Sequence, residues 1–94
     1  MRGDDSTQKK VACDIALIEL LLTSKEPIWM TKIVEKLTKK YKRIEVLKTV
    51  DKLEDLYLIY SKYEKVGKWW TNCYHVDDDL AEQLGRMIGV KVKA

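Results

Sequence analysis

At Ile59 the spacing of apolar residues changes from the period of a helix to that of a strand. This change constrains the chain more than any other feature. Upstream, Met30 to Ile59 reads MTKIVEKL-TKKYKRIEV-LKTVDKLEDLYLI, two short amphipathic helices joined by a basic connection. Downstream, Ile59, Ser61 and Tyr63 alternate with Tyr60, Lys62 and Glu64, the pattern of a half-buried strand. Val66-Gly67-Lys68 reads as a turn, and the aromatic and β-branched run Trp69 to Val76 reads as the returning strand. The order is therefore helix, turn, helix, basic hairpin.

The flanking segments follow from caps and breakers. Met1 to Thr7 is polar and is expected to fray; Ser6 or Thr7 is placed to cap a first helix reaching about Thr23. Val11, Ile15, Ile18 and Leu22 recur at helical spacing, and Ala12, Leu17 and Leu21 widen the stripe. Pro27 breaks that helix and biases Glu26 toward extended backbone. Ile28-Trp29-Met30 is expected as a brief strand against the hairpin, and Thr31 as the cap of a second helix from Lys32 to about Lys40 with Ile33, Val34 and Leu37 inward.

The third helix should begin between Lys42 and Ile44 and end near Leu56. Val46, Val50 and Leu53 form its inner stripe, with Leu47 and Leu56 flanking; Arg43, Glu45, Lys48, Thr49 and Lys52 lie opposite. Its β-branched residues make it a mediocre isolated helix, so packing must hold it. Asp77 is placed to cap a last helix, with Asp78 and Asp79 favoured by its dipole, Leu80, Leu84, Met87 and Ile88 apolar, and Gly89 as the stop. The expected organisation is a flexible segment 1–7, one domain 8–89 and a basic tail 90–94.

Charge distribution narrows the function. The net charge is only +3, but residues 31–68 hold eleven Lys/Arg against six Asp/Glu, while each flank has one more acidic than basic residue. The excess therefore falls on the helix-turn-helix and hairpin region, where a phosphate-binding surface would put it. A charged fraction of 35%, rich in Lys and Glu, fits a source living at high temperature. The longest apolar run, Ile15 to Leu22, is interrupted by Glu19 and falls short of a membrane span, and no signal-peptide core opens the chain, so a cytoplasmic location is expected.

Catalytic constellations are not legible. The single His75 has no serine–acid partnership, and four scattered glycines make no phosphate loop, so neither an enzyme nor a cofactor is expected. Asp77-Asp78-Asp79 suits a helix start better than a metal site. Cys13, Cys73 and His75 lack metal-ligand spacing. Cys13 and Cys73 read first as buried free thiols, with a disulfide, within the chain or across a dimer, as the alternative. Adjacent strand residues Trp69 and Trp70 must face opposite ways, so one can join the core and the other is expected exposed near the wing; there, capping the core or a subunit interface is favoured over stacking on a base or sugar.

With these residues in place, the chain resembles the small winged-helix transcription regulators of the MarR/ArsR type, particularly compact ones from archaea and archaeal viruses. MTKIVEKL (Met30–Leu37) is similar to that family's second helix, VDKLEDLYLI (Val50–Ile59) to the end of its recognition helix, and YHVDDDLAEQL (Tyr74–Leu84) to the passage from wing to final helix. The resemblance implies an α+β winged helix-turn-helix with a three-helix core, a two-strand wing and a C-terminal helix. It implies binding of double-stranded DNA by a homodimer joined through helix one and the C-terminal helix. Lys39, Lys40 and Lys42 at the turn and Lys62, Lys65 and Lys68 on the wing would meet phosphates; Arg43, Lys48, Thr49 and Lys52 would meet base edges.

The chain departs from the family in three places. Tyr57 stands where a glycine usually follows the recognition helix, so a different helix exit is expected. The turn Thr38 to Lys42 is longer than usual, by about two residues, and the hairpin looks short enough to limit the wing to one phosphate or none. A winged helix that serves only as a protein-interaction module is the competing expectation, because fold does not dictate function.

Overall fold

The computed structural model describes residues 12–89. In them the change of period marks where helices give way to sheet. The elements are α1 (Cys13–Thr23), α2 (Met30–Leu37), α3 (Arg43–Asp55), β1 (Ile59–Val66), β2 (Trp69–Val76) and α4 (Asp78–Ile88). The described residues are thus α+β, four helices and one two-stranded antiparallel sheet, a layout compatible with a winged helix.

The core forms where the apolar stripes converge. Leu17 of α1, Ile33 of α2, and Val46 and Val50 of α3 have no exposed surface, and Leu53 and Ile59 continue the cluster toward the hairpin. Burial of such side chains is worth about 1.5–3 kcal/mol each, which offsets the modest helix propensity of α3. The first helix differs from expectation. It starts at Cys13, because Ala12 is extended (ψ 146), so no helix runs continuously from Ser6 or Thr7; those two residues, Val11, and the proposed segments 1–7 and 90–94 lie outside the described residues. Its buried residues are Cys13, Leu17, Ile18, Leu21 and Leu22; Ala12 and Ile15, expected inside, are exposed.

The second helix also shifts. Trp29 makes an antiparallel bridge with Cys73, and the Tyr74 amide donates to the Ile28 carbonyl at 2.7 Å, so the expected brief strand is a single bridge. Extended backbone up to Trp29 lets the helix begin at Met30. Thr31 therefore falls inside the first turn and is not the cap. The helix ends at Leu37, not Lys40: the amides of Lys40 and Tyr41 both return to the Leu37 carbonyl, and Tyr41 is buried at the centre of the turn. Burial first, then the neighbouring Cys13, Glu45 and Asp14, pushes the Tyr41 hydroxyl above the ordinary phenol range.

Tyr57 carries the junction between α3 and β1. It adopts the left-handed conformation (φ 61), where a side chain costs about 1 kcal/mol or more relative to glycine. Its amide donates to the Glu54 carbonyl and the Leu58 amide to the Leu53 carbonyl, both at 3.0 Å, so the helix leaves through the left-handed turn that glycine usually makes, with a tyrosine in it, and not through the different exit expected. The hairpin then runs eight residues on each strand in unbroken register, from Ile59 opposite Val76 to Val66 opposite Trp69. That is roughly 25 Å at the usual rise per residue, so it is not short. Its turn is Gly67-Lys68 with a positive φ at Gly67 only, the pattern of a II′ turn; Val66 belongs to the strand.

The last helix starts and stops as its sequence indicates. The Asp77 carboxylate accepts from the Asp79 amide at 2.8 Å, and Gly89 ends the helix in the left-handed region (φ 76). Its apolar face is only partly covered: Leu80, Leu84 and Ile88 are half-buried and Met87 is 73% exposed.

Two positions with the same sign of φ give opposite expectations. Tyr57→Gly relieves the strained exit and should raise the melting temperature by roughly 4–8 °C, about 1 kcal/mol for a domain of this size. Gly67→Ala introduces the same strain at the hairpin turn and should cost about 1 kcal/mol. Thermal unfolding followed by circular dichroism checks both.

Candidate nucleic-acid interface

Packing of Val46, Val50 and Leu53 inward sets the rotation of α3 and thereby decides which side chains face out. Arg43, Ile44, Glu45, Lys48, Asp51, Lys52 and Asp55 are exposed, so the outward side of α3 carries both signs of charge. Ile44, Glu45, Lys48 and Lys52 surround a shallow depression of about 340 Å³ that Thr49 also lines. Thr49 is 8% exposed and its hydroxyl donates to the Glu45 carbonyl at 2.8 Å. It is therefore committed to its own helix and drops out as a base contact. Lys52 reaches across to Asp14 of α1 at 3.3 Å, a solvent-exposed pair that contributes little stability but draws that charge aside.

The turn before α3 projects its cations by a simple device. Tyr41 points into the core, so Lys40 and Lys42 on either side of it are directed outward, and Lys39 is exposed as well. The Lys42 side chain makes no cap bond to α3, and among the described residues no side chain bonds the amides of its first turn. Those N–H groups remain available to water or an anion. A second hollow, about 240 Å³, lies between α1 and this turn and is lined by Lys36, Lys39, Lys40, Glu19 and Tyr41 among others.

On the hairpin, Lys62, Lys65 and Lys68 are exposed, yet they do not share a face. Lys62 opposes Cys73 and Lys65 opposes Trp70, on alternate sides of the sheet, with Lys68 in the turn. Glu64, the one acidic residue of β1, is paired with His75, whose ring also stacks on Tyr60 (centroids 5.4 Å apart). Trp69 and Trp70 overturn the expectation that one joins the core: they are 77% and 57% exposed.

A comparison of the chain with protein-family models, curated proteins and solved structures finds no match. Function must therefore be argued from the side chains themselves. Of the residues nominated from sequence, Lys39 and Lys40 share the hollow beside α1, Lys48 and Lys52 share the depression on α3, Lys42 and Arg43 stand exposed between them along the chain, and the hairpin lysines are divided between two faces. Two contributors were missed. Tyr41, which orients the turn, was signalled by an aromatic residue within the lysine run KKYK. Lys36 joins Lys39 and Lys40 around one hollow, and its spacing to them was the available clue.

The sulfur and histidine chemistry is separate. Cys13 and Cys73 are both free and buried, so the disulfide alternative is not realised in the described residues. Cys73 has no exposed surface, which prevents it from meeting a thiol of another chain, and burial and then Glu64 push its thiol above the usual range. Among the described residues no three His, Cys, Asp or Glu side chains converge as metal ligands; Cys13, Cys73 and His75 are not gathered. No helix of the described residues is long and apolar enough to cross a membrane. Both thiols should stay unlabelled by a maleimide reagent in the folded protein over a time that labels urea-unfolded protein completely. Rapid labelling of Cys73 under native conditions would contradict its burial.

Proposed function

We propose that this chain is a winged-helix protein that binds double-stranded DNA and regulates transcription. In this reading α3 enters the major groove, the hairpin lies along the backbone as the wing, and a homodimer joined through α1 and α4 reads a palindrome with half-sites about 34–36 Å apart. The observation that carries the reading is the outward face of α3. Arg43 and Lys48 stand exposed there, on a helix whose first turn has no side-chain cap, directly after a turn that projects Lys39, Lys40 and Lys42.

Each part has a chemical task. The uncapped amides and the turn lysines favour a phosphate at the start of α3. Arg43 can grip guanine through its O6 and N7, and Glu45 beside it can accept from cytosine N4 while repelling misplaced phosphate. Lys62, Lys65 and Lys68 add backbone attraction that carries no sequence information. The dimer is favoured by apolar surface left on two elements that pack together: Ile15 on α1, and Met87 with half-buried Leu84 and Ile88 on α4. One observation favours the second reading, a protein-interaction module: Leu56 and Tyr57 are 58% and 82% exposed at the exit of α3.

Fluorescence anisotropy on a duplex, titrated across salt, tests the proposal. Affinity should fall steeply with salt, each phosphate contact adding about 0.9 to the logarithmic slope. The double variant Arg43→Ala/Lys48→Ala should bind at least about tenfold more weakly, while Lys52→Ala, whose charge is drawn to Asp14, should change less. A folded protein that ignores duplex at low salt sinks the DNA reading in favour of the protein-interaction module. Sedimentation should give a dimer mass that Met87→Glu shifts toward monomer; a native chain that is monomeric at high concentration removes the palindrome.

A further inference from the structure

The two adjacent indoles near the hairpin tip are exposed on opposite faces, and neither the core nor the major-groove reading accounts for them. On one face Trp70 lies opposite Lys65 and stacks on Tyr63, itself 63% exposed, with centroids 5.6 Å apart and planes inclined by 26°. On the other, Trp69 lies opposite Val66, and these two with Trp29 and Thr71 line an apolar hollow of about 200 Å³. Planar side chains are costly to leave in water, so a surface that keeps them there invites a planar partner.

The surrounding charge says which partner. Lys62, Lys65 and Lys68 are exposed around these rings, β2 has no acidic residue, and the carboxylate of Glu64 is held by His75. A second copy is disfavoured, because a two-fold interface brings like patches together and would set these lysines against one another. A polyanion whose units each carry a flat apolar face satisfies both the charge and the rings. Unpaired nucleotides have that chemistry, and stacking on aromatic side chains is tolerant of base identity.

We propose that the outer half of the hairpin is a stacking platform for unpaired bases of DNA, one base extending the Tyr63–Trp70 stack and another entering the hollow between Trp29 and Trp69. The proposal rests on the duplex-binding reading for its setting: a wing beside the groove meets bases where the duplex has opened. The protein then prefers DNA with a melted or single-stranded stretch over a closed duplex of the same sequence.

The test compares anisotropy on a closed duplex and on the same duplex with a central unpaired thymine loop, together with quenching of tryptophan emission by oligothymidylate. The native chain should favour the looped duplex by about tenfold and be quenched by the oligonucleotide. Trp70→Leu keeps apolar bulk without a π face and should lose most of that preference while its closed-duplex affinity is unchanged; Trp70→Phe should retain it. Equal affinity for looped and closed DNA, or a Leu variant as selective as the native chain, overturns the platform and leaves duplex binding standing. Loop and oligonucleotide binding that depends on Trp70, without any closed-duplex binding, keeps the platform and removes the major-groove reading. Emission that responds to anionic lipid vesicles but not to the oligonucleotide overturns the platform in favour of a membrane surface. All three chains should share one melting temperature, since the ring is exposed.

Discussion

The burial of Val46, Val50 and Leu53 is the constraint on which the remaining geometry depends. These side chains are packed into a cluster with Leu17 of α1 and Ile33 of α2, and a helix has only one rotation that buries them together. That rotation leaves Arg43 and Lys48 no place but the outside. It also brings Thr49 close enough to the boundary of the stripe to be covered, which is why a residue counted with the outward face by spacing turned out to be buried. The outward placement of Arg43 and Lys48, and of Asp51 and Asp55 beside them, is thus a consequence of the apolar side of α3.

The passage from α3 to β1 carries the next consequence. With Tyr57 in the left-handed region, the chain reverses within two residues and Ile59 enters the core while β1 leaves it. Two amide bonds, from Tyr57 to Glu54 and from Leu58 to Leu53, close the end of the helix and hold that direction. A strained non-glycine residue persists only where its surroundings over-determine it. Here the surroundings are the buried Leu53 and Ile59 on either side of the turn. The ring of Tyr57 itself is 82% exposed, so the strain is held by its neighbours and not by its own burial.

Cation placement follows two separate rules in the two halves of the molecule. In the turn before α3, one buried aromatic, Tyr41, directs its lysine neighbours outward together. In the hairpin, the two-residue period sends Lys62 and Lys65 to opposite faces, and the same period divides Trp69 from Trp70. The first arrangement concentrates charge at one end of a helix, as a phosphate requires. The second distributes charge and rings on both sides of the hairpin.

The order of elements, the bounds of α3, the strands, the Asp77 cap and the Gly89 stop were legible in the sequence, because periodicity and capping are local properties. So was the nomination of exposed lysines, since an ionised amine has few alternatives to the surface. Tertiary structure decided what depends on distant partners. Trp29, bridged to Cys73, moved the start of α2 ahead of Thr31, and Asp14 drew Lys52 aside. The sequence by itself also required that Trp69 and Trp70 face opposite ways, a matter of backbone pleat. That both stay largely in solvent was settled only by tertiary structure: Trp29 reaches the hollow beside Trp69 without covering its ring, the ring against Trp70 is the exposed Tyr63, and no local pattern encodes how far a core extends.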